Sequence, residues 1–108
     1  MSKADSFDRA VDFLLKYGEV LQNQDLQTPD VCMELVNSVG GLLRYVKEQT
    51  EEICLAAVKQ DIEAYQWIED PQAYVKYLED NNLFATEVLR NNQDYRNFLM
   101  KYKSKEAI

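Results

Sequence analysis

The chain has 108 residues, 46% of them hydrophobic and 29% charged, with three glycines and two prolines, a balance that suits one modest core and favours helix over a fold of strands and tight turns. The net charge of −7 speaks against bare nucleic acid as a partner, because neutralising phosphates takes a basic face. With no histidine, Ser-His-Asp and Cys-His catalysis are excluded, and Cys32 and Cys54 lack the partners of an ordinary structural zinc site.

Residues able to start a helix recur at Ser6, Thr28, Thr50, Asp70 and Asn92, in steps of 22, 22, 20 and 22. Each side chain can accept a hydrogen bond from the first free N–H groups of a helix, and Pro29 and Pro71 stand at the first helical position after two of them. The spacing predicts helices over 6–22, 29–38, 42–48, 51–60, 62–68, 71–80, 83–90 and 93–103. Counting each starter as zero, offsets 3, 4, 7 and 8 place Val31, Cys32, Leu35 and Val36 on one helical face, then Ile53, Cys54, Ala57 and Val58, then Ala73, Tyr74, Tyr77 and Leu78. Only the terminal units put a charge there, at Arg9 and Arg96.

A second apolar set at offsets 14, 15 and 18 gives Leu42, Leu43 and Val46, then Ala64, Tyr65 and Ile68, then Phe84, Ala85 and Val88. Gly18, Gly40 and Asn82, at offset 12, tolerate the left-handed conformation that closes a helix, with Ile62 turning differently and Gly18 weak enough as a stop for 6–22 to run as one longer helix. The expected fold is all-α, a single domain over 1–108 built as a small array of stacked helical hairpins, solenoid-like. Helices of about ten residues are marginal alone, so stacking must hold them. Leu35, Val58, Leu78 and Leu99 are the core positions expected to reject aspartate.

Residues 50–60, TEEICLAAVKQ, preceded by YVKEQ at 45–49, resemble the unit of a family of tandem helical repeats of unknown function in bacterial and viral proteins, reading roughly T-x-E-I-C-L-A-A-V-K-Q. The likeness is close over 45–60 and looser over 28–44, where TPDVCMELVNS keeps the threonine, acid, cysteine and valine. It implies a helical repeat fold and brings no catalytic or binding residues with it.

No Gly-rich phosphate loop is present, and no cofactor or metal is expected. Residues 48–70 hold seven acids, Glu48, Glu51, Glu52, Asp61, Glu63, Glu69 and Asp70, against Lys59 alone. Several fall at helix starts, where the dipole favours acids regardless of function. Cys32 and Cys54 read as small buried hydrophobes. Tyr45 and Trp67, both at offset 17, lie at the edge of the apolar stripe, where aromatics either seal the core or meet a partner.

The resulting expectation is a non-enzymatic protein interaction module. Its candidate contact residues are Tyr45, Glu48, Glu51, Glu52, Glu63 and Trp67, facing another protein that is basic at the contact. The alternative is a small acidic inhibitor occupying the nucleic-acid channel of a nuclease or DNA-binding protein. No apolar run approaches the ~18–20 residues of a membrane span, and the acids in MSKADSFDRAVDFLL break up any secretory signal. A cytoplasmic location is therefore expected, without direct contact to nucleic acid or membrane.

Overall fold

A computed structural model describes residues 15–104. The chain is all-α, and no strand occurs among the described residues. Residues 15–22 form helix α1. There follow the 3-10 turn η1 (Gln24–Leu26), α2 (Pro29–Ser38), η2 (Gly40–Tyr45), α3 (Glu51–Gln60), η3 (Ile62–Trp67), α4 (Pro71–Asp80), α5 (Phe84–Val88) and α6 (Gln93–Tyr102). Ser6 and the expected helical stretch 6–14 lie outside the described residues.

The four described starters cap as their chemistry dictates. Thr28, Thr50, Asp70 and Asn92 accept from the backbone N–H of Val31, Ile53, Ala73 and Tyr95 at 3.2, 3.2, 3.1 and 2.9 Å. Each satisfies a donor that the helix itself cannot, contributing about 1 kcal/mol. The second half of each middle unit differs from expectation, because η2 and η3 are 3-10 segments; η2 also begins earlier than the expected 42–48, whereas η3 starts at Ile62 as expected. Val39 and Asp61, each in an extended conformation, make the step from α2 to η2 and from α3 to η3 with nearly the same dihedrals (φ −142°, ψ 102° and φ −148°, ψ 109°).

That step corrects the reading of offset 12. No glycine has positive φ, so Gly40 is not a left-handed cap and Ile62 is no exception. Gly40 is needed for a different reason. A Cβ there would overlap the carbonyl oxygen of Ala57 and stand 3.0 Å from Gln60 Oε1 and 3.1 Å from Asp61 Cβ, and the Gly40 N–H donates to Gln60 Oε1. The fourth unit is the one that turns differently. Asn82 takes φ 59°, with Leu83 N–H bonded to Leu78 O at 2.7 Å and Asn82 N–H to Glu79 O at 3.2 Å, the paired bonds of a Schellman ending.

The core runs through the offset-3/4/7/8 faces. Leu35, Val58, Leu78 and Leu99 are all fully buried, together with Val36, Ala57, Tyr74 and Tyr95. Leu55 and Val75 join them outside the expected stripe, since α3 is packed by α2, η2, η3 and α4 and a helix covered on several sides buries more than one face. In α5 the expected apolar set is only partly used. Phe84 and Val88 are half-buried and Ala85 is exposed, while the buried side chain of that segment is Glu87.

No helix among the described residues is long and apolar enough to cross a membrane.

Candidate interaction surface

Two glutamines, each directly before a capping threonine, tie successive units together through main-chain atoms. Gln27 Nε2 donates to Val20 O at 3.3 Å and Tyr45 O at 3.0 Å, and its Oε1 accepts from Lys47 N–H at 3.1 Å. Gln49 repeats the pattern, donating to Leu43 O at 3.1 Å and Trp67 O at 2.9 Å and accepting from Glu69 N–H at 3.0 Å. Each amide thus bonds three backbone groups, two of them where a short 3-10 segment ends, Tyr45 O and Lys47 N–H for Gln27 and Trp67 O and Glu69 N–H for Gln49.

The consequence is positional. Tyr45 and Trp67, the last residues of η2 and η3, have their backbones held by these glutamines while their rings remain 45% and 40% exposed. Between them lies Arg44, its guanidinium carbon 4.8 Å from the Tyr45 ring centroid and 5.3 Å from that of Trp67. Both distances are within cation–π range. The three side chains form one exposed ridge spanning two units.

The same glutamines line two small grooves at corresponding places in successive units. One, about 180 Å³, is lined by Gln27, Pro29, Cys32, Lys47 and Glu48; the other, about 120 Å³, by Gln49, Glu51, Cys54, Glu69 and Asp70. Cys32 and Cys54 form their floors as free, buried thiols. Burial, and then the Glu48 carboxylate, pushes the Cys32 thiol above its usual range. Burial, with Glu51, Glu69 and Asp70 adding to it, drives Cys54 up to about 12. Both thiols are therefore protonated at neutral pH and poor nucleophiles.

The acids divide among these features. Glu48 and Glu51 stand at the groove walls, and Glu52 is exposed on α3. Glu63 is engaged elsewhere, its Oε1 accepting from Asn92 Nδ2 at 3.1 Å and its Oε2 from Gln66 Nε2 at 3.0 Å. Among the described residues no group of three His, Cys, Asp or Glu side chains is placed to hold a metal ion. A wider depression of about 610 Å³ between α4 and the end of α6 is lined mainly by Asp70, Lys76, Glu79, Asp80, Tyr102 and Ser104, of which Lys76 and Asp80 pair at 2.9 Å.

Compared with family models, curated proteins and solved structures, the chain matches none.

Beyond the ridge, the C-terminal half holds a buried polar chain. Tyr95 Oη donates to Glu87 Oε1 at 2.8 Å, so the 2.7 Å contact between the Tyr74 and Tyr95 hydroxyls has Tyr74 as donor. Arg90 Nη1 completes it, 3.1 Å from the same Glu87 oxygen. Burial pushes both tyrosines well above the ordinary phenol range. All these groups are satisfied internally, and they join α4, α5 and α6 instead of facing a ligand.

Arg44, Gln27 and Gln49 are the residues of this surface that the sequence reading passed over. The recurring Gln-Thr pair at 27–28 and 49–50 carried the signal for the glutamines. Nothing in the spacing carried a signal for Arg44, whose place between two rings depends on residues 44, 45 and 67 meeting in the fold.

Proposed function

We propose that the protein is a non-enzymatic interaction module. Its contact surface is the Tyr45–Trp67 ridge together with the carboxylates of Glu48 and Glu51 at the groove walls and of Glu52 and Glu63 on α3 and η3, and it faces another protein that carries basic groups. The observation that carries this reading is the pair of exposed rings at corresponding positions of two successive units, with backbones pinned by Gln27 and Gln49. Pinned aromatics lose little entropy on docking, and aromatic anchors of this kind dominate binding energies at interfaces. The acids around them supply attraction at longer range. The likeness of residues 45–60 to tandem helical repeats supports the same reading, since stacked repeats characteristically act by binding.

Affinity capture from the native cell, followed by binding kinetics on the captured protein, tests it. Trp67→Ala should leave the far-UV circular dichroism unchanged and raise the dissociation rate, whereas Glu51→Lys with Glu52→Lys should mainly lower the association rate. If both variants remain folded and bind like the parent, this face is plain solvated surface and the proposal fails.

A further inference from the structure

The three arginines among the described residues differ in what their guanidinium groups do. Arg90 donates to Glu87 Oε1 at 3.1 Å, and Arg96 donates to Val88 O at 3.1 Å and Gln93 Oε1 at 3.0 Å. The Arg44 guanidinium makes no hydrogen bond among the described residues; its contacts are the rings of Tyr45 and Trp67. This holds although seven carboxylates lie between residues 48 and 70. A guanidinium carries its N–H groups in one planar fork that fits a carboxylate, and that fork has no hydrogen-bond acceptor among the described residues.

We propose that Arg44 receives a single aspartate or glutamate side chain of the partner protein, with an apolar residue beside it seated on Trp67 or Tyr45. This rests on the interaction-module reading above and adds the identity of the central contact. Charge complementarity sets the rest of the segment. Arg44 is one cation in a chain of net charge −7, so a strongly acidic segment is repelled, and one carboxylate flanked by lysine or arginine is what matches Arg44 and the neighbouring Glu48 and Glu51 together. The two rings hold the guanidinium in place before the partner arrives, which lowers the entropy lost when the bidentate pair forms.

The test begins with a random dodecapeptide phage library panned against the folded 108-residue chain, with counter-selection on Trp67→Ala. The displayed peptides have no free C-terminus, so any carboxylate recovered is a side chain. The expected consensus holds one Asp or Glu next to an apolar residue, with Lys or Arg flanking. The C-terminally amidated consensus peptide is then titrated by the fluorescence of Trp67, the sole tryptophan. Arg44→Gln should weaken binding about tenfold or more, as should replacing the peptide acid by its amide, and the two changes together should cost little beyond either alone. Arg44→Lys, which keeps the charge but not the fork, should also weaken it.

A consensus that needs Trp67 but contains no acid overturns this inference and leaves the module reading standing. So does an Arg44→Gln protein that is folded by circular dichroism and binds like the parent. Recovery of no Trp67-dependent peptide overturns both.

Discussion

Replacing Gly40 by alanine separates two explanations of one glycine. A left-handed cap would require positive φ, which Gly40 does not have. A close approach requires the absence of a Cβ, because that atom would overlap the main-chain carbonyl of Ala57 and crowd Gln60 Oε1 and Asp61 Cβ. The obstacle is largely backbone, within the last turn of α3, so it cannot move aside as a flexible side-chain tip would. Overpacking of this kind costs about 1–3 kcal/mol, and displacing Gly40 N–H from Gln60 Oε1 adds to it. Alanine recovers about 0.4–1 kcal/mol by restricting the unfolded chain. Gly41 is the internal control, since a Cβ there meets nothing within 4 Å and its φ is not positive; Gly41→Ala should stabilise by that same 0.4–1 kcal/mol. The assay is urea unfolding followed at 222 nm on the parent and both variants. A Gly40→Ala protein as stable as Gly41→Ala would refute the close-approach argument.

Removing the Gln49 amide by Gln49→Met takes away three hydrogen bonds to main chain and should cost about 2–3 kcal/mol, with a red-shifted Trp67 emission as η3 loosens. Tyr95→Phe leaves Glu87 with Arg90 and strands the Tyr74 hydroxyl donor, which should cost about 1–3 kcal/mol, and a double-mutant cycle with Tyr74→Phe should show coupling. Because the Cys54 thiol is raised to about 12 in the folded chain against about 8.5 unfolded, the unfolded state releases its proton first. Its contribution to stability is complete below pH ~8.5 and is lost as pH rises toward 12, so Cys54→Ala should flatten the decline in unfolding free energy between pH ~8.5 and 10. Iodoacetamide should label neither thiol of the native protein quickly at pH 8, and fast labelling of both would contradict their burial.

Helix starts were legible because capping is local chemistry. A hydroxyl, carboxylate or amide at Thr28, Thr50, Asp70 or Asn92 reaches an N–H three residues on, whatever the rest of the fold does. The apolar stripe was legible for the same reason, being set by the 3.6-residue period. What escaped depends on distant neighbours. The segment 40–45 winds as 3-10 where it packs on α3, a neighbour the local spacing does not contain, and the need for Gly40 follows from Ala57, 17 residues away. Glu87 sits at the same offset as Tyr45 and Trp67, yet it is buried because Tyr95 and Arg90 meet it there. Of the candidate surface, the aromatics were visible from their repeat position. Arg44 was not, since stacking on two rings leaves no trace in spacing.

Apart from the Cys54 thiol, which donates to Gln49 Oε1 at 3.6 Å, the glutamine contacts that cross between units reach carbonyl oxygens and amide hydrogens. Every residue but proline offers both, so the joint places no demand on which side chains stand at positions 45, 47, 67 and 69. A change at position 45 or 67 leaves the Gln27 and Gln49 bonds intact, and that is how a tyrosine and a tryptophan occupy corresponding places without disturbing register. Selection can therefore rewrite the exposed ridge residue by residue while the joint stays constant, as loops vary on a fixed scaffold. Glu69, which precedes the Asp70 cap as the glutamines precede theirs, has a carboxyl group in place of the amide and so lacks the N–H donors the joint uses. The joint stops there, and the chain after it is held by other means: the Schellman ending at Asn82 and the Tyr74–Tyr95–Glu87 chain.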